Sequence, residues 1–482
     1  MMELRPVANI TGILVSIMGC LMLVCGAVDA YFGGQPGSVF MLNGLITILI
    51  GTLTSLATSN HQIDSLGRRQ SFLLTSLVWA VLPIFGALPF IFGNPNASIV
   101  DAYFEAMSGM TTTGSTVFRG LDDMPEGVLL WRGILQWLGG LGIVVVAMIF
   151  LPTMRVGGMQ FFLTEGFDTQ GKILPRAFDI AKSLFVVYVV LTILCFIAYA
   201  FYGMRLFDAL VHSLTTISTG GFSTSDQSFS KFSGRLEYVA AFFMILASLP
   251  LIRYFQLVRG QVRPLTNDVQ VQAYLRWIVI SCALIAGYHL TQSNDTLEQT
   301  IRETVFNVTS LFSGTGYTSV NMSTWGAFPL TVLVLVGLIG GCTGSTACSI
   351  KVFRWLILVE CIKDQLRHLR YPHSASRPRL GNRPLSQDVI DSVSAFFAMF
   401  ILTLGFIAVG LSFTGLSLDT AITAAWTSVA NIGPAYGQAV SGTGSMEAFP
   451  EAAKWIMIFG MLAGRLEILS FYLLLTRRFW LA

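Results

Sequence analysis

Charged residues are scarce in this 482-residue chain, and their scarcity excludes most classes of soluble protein. Only 11% of the residues are Asp, Glu, Lys or Arg, whereas a soluble chain carries about a quarter. Apolar residues make up 54% of the sequence, and the mean hydropathy is +0.68. So few charges cannot cover a water-facing surface of this size. The chain is therefore predicted to be a membrane protein.

The sequence also lacks the patterns of metal sites, redox centres and nucleic-acid binding. Its seven cysteines contain no CxxC pair, form no His/Cys cluster with metal-ligand spacing, and lie mostly inside apolar stretches. We interpret them as small core residues. The formal net charge of +3 is too small to indicate nucleic acid as a partner.

Ten apolar stretches are long enough to cross a bilayer. About 20 residues, each rising about 1.5 Å, cross a hydrocarbon core of about 30 Å. The first stretch is too long for a signal-peptide core and runs almost directly into the second, so we keep it as a span. The predicted spans are 8–32, 38–58, 71–93, 127–151, 179–203, 236–258, 270–291, 328–360 with an interruption, 389–413 and 451–475.

The distribution of basic residues predicts how these spans are oriented. If every span crosses, Lys and Arg fall on one side, from Arg5 through the run Lys351 to Arg383 to Arg478. Acidic residues such as Glu447 fall largely on the other side. The positive-inside rule then predicts that both termini are cytoplasmic. The basic connector at 366–388 is a cytoplasmic segment that either stays in solvent or contacts anionic lipid or a regulator.

Four Thr/Ser/Gly clusters recur at similar intervals along the chain. Each lies between two spans and follows an apolar segment too short to cross a bilayer. Three of these segments open with Asp, which favours helix N-caps, so each is predicted to be a half-helix that ends at a glycine loop. Aligned on one glycine, the clusters are centred on Gly114, Gly220, Gly316 and Gly433.

Such re-entrant loops place irregular backbone inside the membrane. Each unsatisfied N–H or C=O costs several kcal/mol in lipid, so four loops must be buried in protein or line a wet cavity. Glycine lets the backbone approach an axis closely, and rings of carbonyl oxygens replace the hydration shell of K⁺ in potassium filters. An external turn would explain one cluster but not four at the same place between paired spans. We therefore predict a pore.

With these features the sequence resembles the Trk/Ktr/HKT superfamily of potassium transporters over nearly its whole length. The two spans ahead of the repeats and the total length resemble the TrkH branch. The resemblance implies a pseudo-tetrameric potassium pore in one chain, a homodimer in the bacterial inner membrane, and a cytosolic nucleotide-binding regulator of the TrkA type. Glycine at all four loop centres resembles the potassium-selective members, although the fourth loop departs from the Thr-Gly pattern.

The expected architecture is an all-α polytopic membrane protein with a pseudo-fourfold pore. Two N-terminal transmembrane helices occupy 1–65, and four span/half-helix/span repeats occupy 66–155, 172–260, 265–365 and 389–482. No catalytic residue is expected. The resemblance implies that K⁺ is bound, mostly by backbone carbonyls, at Thr112, Thr113, Gly114, Ser218, Thr219, Gly220, Gly314, Thr315, Gly316, Asn431, Ile432 and Gly433.

The span at 328–360 is interrupted at mid-membrane depth by ten small or hydroxyl-bearing residues. Discontinuous helices recur in transport sites, whereas close packing against a neighbouring helix is the simpler alternative. The length of the run and its position after the third loop favour an intramembrane gating loop, which the resemblance also implies. The expected gating residues in it are Gly340, Gly341, Thr343, Gly344, Ser345 and Thr346.

Arg465 lies midway along the last predicted span. An Arg at the bilayer centre costs about 2.5 to 3.5 kcal/mol on insertion scales, so it must face a wet cavity or a partner. It is either a charge in the permeation path, which repels cations or anchors the gating loop, or a structural partner of an acid such as Glu105. The resemblance favours the first because it places an arginine of the last span beside the pore.

Two other functions remain as alternatives to a potassium pore. A symporter that couples potassium to protons or sodium would need a titratable group deep in the pore, and the glycine loops carry none. A membrane hydrolase built on Ser213 and His212 is disfavoured, because adjacent helical residues point about 100° apart. We interpret His212 and Asn307 as satisfied polar residues behind the loops.

Overall fold

The structure is a computed structural model that describes residues 3–32, 37–59, 67–145, 173–292, 295–373, 377–381, 383–440, 442, 444–466 and 468–481. Its helices are α1 (Arg5–Phe32), α2 (Ser38–Thr58), α3 (Arg68–Phe92), α4 (Ile99–Met110), α5 (Glu126–Val145), α6 (Ile173–Phe201), α7 (Leu206–Ile217), α8 (Arg235–Ser248), α9 (Leu251–Val258), α10 (Arg263–Thr266), α11 (Val269–Gln292), α12 (Leu297–Ser313), α13 (Ala327–Gly337), α14 (Val352–Arg370), α15 (Gln387–Phe413), α16 (Leu418–Ala430), α17 (Glu451–Arg465), α18 (Leu469–Leu475) and α19 (Arg477–Leu481). In the basic connector, β1 (Arg379–Leu380) pairs antiparallel with β2 (Arg383–Pro384).

The long helices carry the composition of membrane spans. Among the described residues, α1, α2, α3, α6, α11 and α15 are each long and apolar enough to cross a bilayer. Their outward faces are apolar: on α2, the exposed side chains include Leu42, Leu45, Leu49 and Leu53. A water-facing helix would carry charges on that face. The prediction of an all-helical, multi-pass membrane protein is confirmed.

Two of the predicted spans are bent rather than straight. The stretch predicted at 236–258 is α8 and α9, which meet at 93°, and the stretch at 451–475 is α17 and α18, which meet at 113°. At the first bend Leu249 is extended and Pro250 precedes α9, because proline lacks an N–H and disfavours helical backbone in the residue before it. The end of the span predicted at 127–151 lies outside the described residues.

Four short helices stand where the half-helices are predicted: α4, α7, α12 and α16. At 12, 12, 17 and 13 residues, they are shorter than the roughly 20 residues that a crossing helix needs. The prediction that Asp residues form their N-caps is wrong, since Asp101, Asp208 and Asp419 lie in the first turn instead. A carboxylate in the first turn still complements the positive end of the helix dipole.

The two N-terminal helices pack against each other through glycine. Three glycines of α1 face two glycines of α2 and the N-cap glycine before it, in antiparallel order: Gly12 with Gly51, Gly19 with Gly44, and Gly26 with Gly37. A Cβ on any of the six would lie within 3.1 Å of the partner glycine's carbonyl oxygen. Small residues allow such close approach of two backbones. Near the end of α1, Asp29 accepts a hydrogen bond from the Gly127 N–H at 2.8 Å, which ties this hairpin to the first turn of α5.

Candidate functional site

Each half-helix ends in a loop with the same order of backbone conformations. The first of two positive φ angles falls on Thr112 (51°), Thr219 (52°), Gly314 (74°) and Asn431 (53°). The second follows two residues later, on Gly114 (86°), Gly221 (78°), Gly316 (77°) and Gly433 (114°). Glycine adopts positive φ without a steric penalty, which explains why the second position is glycine in all four loops.

The second loop corrects the alignment made from the sequence. Gly220 does not have a positive φ, whereas Gly221 has one and shares the partial exposure of Gly114 and Gly316. The alignment of Gly220 with these glycines is therefore wrong by one residue. Two adjacent glycines left the register ambiguous, although the Gly-aromatic pair at 221–222, which matches the pair at 316–317, is a signal that could have settled it.

The four loops contact one another in cyclic order. A Cβ on Gly114 would lie within 3.0 Å of the carbonyl oxygen of Gly220 in the next loop. The same close approach relates Gly221 to Thr315, Gly316 to Ile432, and Gly433 to Thr113. The last contact closes the circle. We call residues 112–114, 219–221, 314–316 and 431–433 the loop ring.

Side-chain hydrogen bonds connect the fourth loop to the first. Asn431 Nδ2 donates to Thr113 Oγ1 at 2.9 Å, and Ser115 Oγ donates to the Gly433 carbonyl at 2.7 Å. Ser218, which the sequence placed in the site, lies one residue before the ring at the C-cap of α7. The hydroxyl and amide side chains of the loops thus join neighbouring loops.

A cavity of about 80 Å³ opens at one end of the loop ring. It is lined by Gly114, Gly221, Gly316 and Gly433, the glycines at the second positive-φ position of each loop, and Gly220 is not among its lining residues. A wider cavity of about 440 Å³ shares Asp226, Thr318, Pro434 and Gly444 with it. We call this end the mouth. Among the described residues there is no group of three or more His, Cys, Asp or Glu side chains that could hold a metal ion. A cation in the ring would meet backbone and hydroxyl oxygens.

A buried ion pair behind the ring was missed by the sequence analysis. Arg132 of α5 and Glu105 of α4 are 1% and 0% exposed and pair at 2.8 Å. Arg132 also donates to the Ser223 carbonyl at 2.9 Å, and Glu105 accepts from the Val117 N–H at 3.0 Å. The pair therefore fixes the first loop relative to the second. Two charged residues inside apolar segments were the available signal.

Gln136 lies one helical turn beyond Arg132 and also contacts the second loop. Its Nε2 donates to the Gly220 carbonyl at 2.6 Å, and its Oε1 accepts from the Phe222 N–H at 3.0 Å. Gln136 is fully buried. The sequence analysis missed this residue as well, because a single Gln in a span has no distinctive pattern.

The segment between α13 and α14 packs against the C-terminal ends of the half-helices. The mouth lies elsewhere, at the glycines further along each loop. We call residues 338–351 the intramembrane loop; it is wider than the interruption predicted at 340–349, since α13 ends at Gly337 and α14 begins at Val352. It contacts the first loop through Cys348 Sγ, which lies 3.3 Å from Thr112 Oγ1. It bonds the ends of the other three half-helices: Thr346 Oγ1 donates to the Ile217 carbonyl at 2.9 Å, the Cys348 N–H to the Ser313 carbonyl at 3.4 Å, and the Ser349 N–H to the Ala430 carbonyl at 3.0 Å.

The expected gating residues divide into two groups. Thr346 reaches a half-helix end, at Ile217. Thr343 and Gly344 are instead anchored to other helices: the Thr343 N–H donates to Gln270 at 3.0 Å, and the Gly344 carbonyl accepts from the Leu251 N–H at 3.0 Å. The remaining members, Gly340, Gly341 and Ser345, bond or pack within the loop and against α8. Cys348, which contacts the ring at Thr112, and Ser349, which bonds the half-helix end at Ala430, were not among the expected residues.

Arg465 lies at the end of α17, where the predicted span bends, and is 4% exposed. Its guanidinium donates to the Gly139 carbonyl at 3.1 Å and lies 3.3 Å from Cys348 Sγ and 5.3 Å from the centre of the Trp79 ring. The alternative pairing with Glu105 is wrong, because Glu105 pairs with Arg132. Arg465 therefore holds the intramembrane loop against α5 and α3.

The polar residues behind the loops are hydrogen-bonded. His212 Nε2 lies 3.0 Å from Ser223 Oγ, and Asn307 Nδ2 donates to Ser319 Oγ at 3.0 Å. Ser213 Oγ donates to the Leu210 carbonyl of its own helix rather than to His212. His212 and Asn307 connect half-helices to loops, and the Ser213 hydroxyl is engaged by its own helix and not by His212.

Comparison with known proteins gives concordant matches over almost the whole chain. Residues 36–256 and 265–479 match the TrkH family, described as "Cation transport protein". The chain is 36% identical to the Trk system potassium uptake protein TrkI of Halomonas elongata over 477 residues, which are 98% of this chain and 96% of that protein. It is 34% identical to the Trk system potassium uptake protein TrkH of Escherichia coli K12, over 99% of this chain and 100% of that protein.

The fold also matches a solved structure over almost the whole chain. The crystal structure of the potassium transporter TrkH from Vibrio parahaemolyticus aligns with a TM-score of 0.92 and 31% sequence identity. The alignment covers 99% of this chain and 100% of that one.

Proposed function

This chain belongs to the TrkH family of cation transport proteins, and we propose that it takes up potassium through the centre of the loop ring. The observation that carries the proposal is the closed circle of contacts between glycines and carbonyl oxygens, from Gly114 around to Thr113. Stacked rings of carbonyl oxygens can replace the water around a monovalent cation. The relatives named potassium uptake proteins support K⁺ as the cation.

The half-helices supply electrostatic support for a cation in the ring. All four end at the ring, so their negative C-terminal dipole ends point toward it. In this proposal K⁺ is held by residues 112–114, 219–221, 314–316 and 431–433. This set replaces Ser218 with Gly221, following the register of the second loop.

We propose that the intramembrane loop is a gate and that its position here is the closed one. The loop occupies the carbonyl groups of Ile217, Ser313 and Ala430 at the half-helix ends. An ion leaving the ring at that end would meet these hydrogen-bonded groups and the positive charge of Arg465. Opening then requires the loop to release the half-helix ends.

Orientation and partners complete the proposal. Asp226 lines the mouth, and Asp122 beside it accepts from the Asp226 N–H at 3.1 Å. The connector at 366–388 is basic, so the positive-inside rule favours an outward-facing mouth and cytoplasmic termini. We propose a homodimer in the bacterial inner membrane, controlled by a cytosolic nucleotide-binding regulator of the TrkA type. The "Trk system" in the names of the relatives supports a multi-component assembly.

Reconstitution into liposomes tests the transport proposal. Purified protein is placed in opposing K⁺ and Na⁺ gradients, with and without an added pH gradient, and the reversal potential of the current is measured. We expect the reversal potential to follow the K⁺ gradient and not the pH gradient. A reversal potential set by the Na⁺ or proton gradient would contradict a potassium-selective pore and would favour the coupled symporter.

A further inference from the structure

The second loop differs from the other three at the middle position of the ring. Thr113, Thr315 and Ile432 place a side chain there, whereas Gly220 has none. A Cβ on Gly220 would collide with the Cδ, Oε1 and Nε2 atoms of Gln136, all within 2.8 Å. The amide of Gln136 therefore fills the space in which a side chain at position 220 would begin.

Gln136 also makes two hydrogen bonds with the second loop, in addition to filling this space. Gln136 bonds the Gly220 carbonyl through Nε2 and the Phe222 N–H through Oε1, so its amide spans the glycine pair of the second loop. In the described part of the chain, the corresponding carbonyls of Thr113, Thr315 and Ile432 accept no hydrogen bond from the protein. The Gly220 carbonyl thus differs from its three counterparts in the ring.

We infer that Gln136 is a positioning residue for ion selection: it replaces the missing side chain of the second loop and fixes the direction of the Gly220 carbonyl. This inference rests on the proposed function, in which the ring conducts K⁺. A carbonyl oxygen has two lone pairs, so one can accept from Gln136 while the other faces the ion. Gln136 then acts on selectivity without touching the ion.

An exchange of side chains between the two positions tests this inference. Gln136→Ala removes the donor and empties the space; we expect the K⁺/Na⁺ permeability ratio to fall about 3- to 10-fold, the effect of losing one net hydrogen bond. Gly220→Thr alone should abolish flux, because its Cβ collides with Gln136. The double variant Gln136→Ala/Gly220→Thr copies the first and third loops, and we expect it to regain flux and most of the permeability ratio.

Gln270→Ala is the matched control, because Gln270 is another buried Gln that bonds a loop backbone, at Thr343, away from the ring. We expect it to keep the wild-type permeability ratio. An unchanged ratio in Gln136→Ala, or a double variant no better than Gly220→Thr, overturns the inference. If Gln136→Ala does not yield monodisperse protein, recovery of the double variant supports the inference and its failure overturns it. Failure of the proposed function would appear separately, as a wild-type reversal potential that ignores K⁺.

Discussion

The loop ring and the intramembrane loop meet the same four half-helices but are assembled in opposite ways. In the ring each half-helix contributes one loop, and each loop contacts the next, from Gly114 with Gly220 around to Gly433 with Thr113. The intramembrane loop is one segment, between α13 and α14, and it contacts Thr112 of the first loop and the ends of the other three half-helices.

This difference separates two mechanical requirements. A closed circle cannot lose one member without breaking contacts on both sides, which suits a site whose geometry must stay constant. A single segment in contact with the first loop and three half-helix ends can leave as a unit while the circle stays intact, which suits a gate. Substitutions in the ring should therefore change which ion passes or whether any passes, and substitutions at the intramembrane loop should change how often the path is open.

The largest effect should come from breaking the circle at its most crowded point. Gly221→Ala places a Cβ against the Thr315 carbonyl and strains a φ of 78°, so we expect K⁺ uptake to be abolished at equal membrane abundance. Gly203→Ala is the matched control, since Gly203 has a φ of 94° with nothing within 4 Å. Abolished uptake in both variants would show that backbone strain, not the contact, matters, and normal uptake in Gly221→Ala would contradict the role of this junction.

Removing the charge of Arg465 beside the proposed gate should have the next largest effect. At an effective dielectric of about 20, two unit charges about 8 Å apart repel by about 2 kcal/mol, a factor of about 30 in occupancy. We expect Arg465→Ala to raise uptake toward that factor, and Arg465→Lys, which keeps the charge but loses the planar fork, to raise it less. Wild-type uptake rates in both variants would show that the role of Arg465 is purely structural.

A smaller increase should follow from loosening the intramembrane loop itself. Thr346→Val removes the hydroxyl that bonds the Ile217 carbonyl at 2.9 Å and the Ala247 carbonyl at 3.1 Å. Loss of about 1 kcal/mol of net hydrogen bonding predicts a several-fold rise in regulator-independent flux. Thr331→Val, on the exposed face of α13, is the control and should leave flux unchanged. An unchanged flux for Thr346→Val would favour a packing role for the loop.

The least crowded contact between neighbouring loops, at Gly433, tests whether the effect of a substitution follows the crowding at its position. A Cβ on Gly433 would come no closer than 2.8 Å to any atom, a looser fit than at Gly114, Gly221 or Gly316. We expect Gly433→Ala to retain more flux than Gly221→Ala while losing K⁺ over Na⁺ selectivity, measured as the K⁺/Na⁺ permeability ratio calculated from the reversal potential. Complete inactivity of Gly433→Ala would show that crowding does not rank the junctions.

The smallest effect should appear at the mouth, at Asp122. Burial raises the pKa of Asp122, but hydrogen bonds from Lys231, the Asp226 N–H and Ser225 outweigh it and hold the pKa below its ordinary value of 3.8. A depressed pKa in the folded state contributes stability above 3.8 that is lost as pH falls through the lower folded value. For an exposed pair this amounts to less than about 1 kcal/mol.

The measurement is the melting temperature in detergent as the pH is lowered from about 6 to about 3. Wild type should lose slightly more stability than Asp122→Asn over this range, because Asn cannot titrate. Parallel curves for the two proteins would show that the Asp122 contacts contribute nothing measurable.

The recurrence of features made much of the fold predictable. Long apolar stretches identify α1, α2 and α3, and four Thr/Ser/Gly clusters after short segments identify the half-helices, because these patterns are local. The bend at Pro250 was also local, but a span-length apolar run conceals it. The bend after Arg465 moves that residue from the middle of a span to the end of α17.

The site was less predictable because its contacts join distant parts of the chain. The register at Gly220 and Gly221 depends on which glycine meets the Thr315 carbonyl, about a hundred residues away. Arg132 and Glu105 are also far apart in the sequence. Each is conspicuous as a charged residue in an apolar segment, but the sequence does not show that they pair with each other. The position of Gln136 depends on the space left by the missing side chain at Gly220, and no sequence pattern predicts which residue fills that space.

The glycine-lined hairpin of α1 and α2 bears on the order in which the nascent chain assembles. Its three reciprocal glycine pairs lie within the first 58 residues, so its interface is complete before any residue of the loop ring has been translated. Once inserted, the hairpin presents Asp29, to which the emerging first turn of α5 binds through Gly127. Biogenesis of the first repeat therefore has a template that is synthesised ahead of it, and a bulky residue at Gly19 or Gly44 would act during insertion rather than during ion conduction.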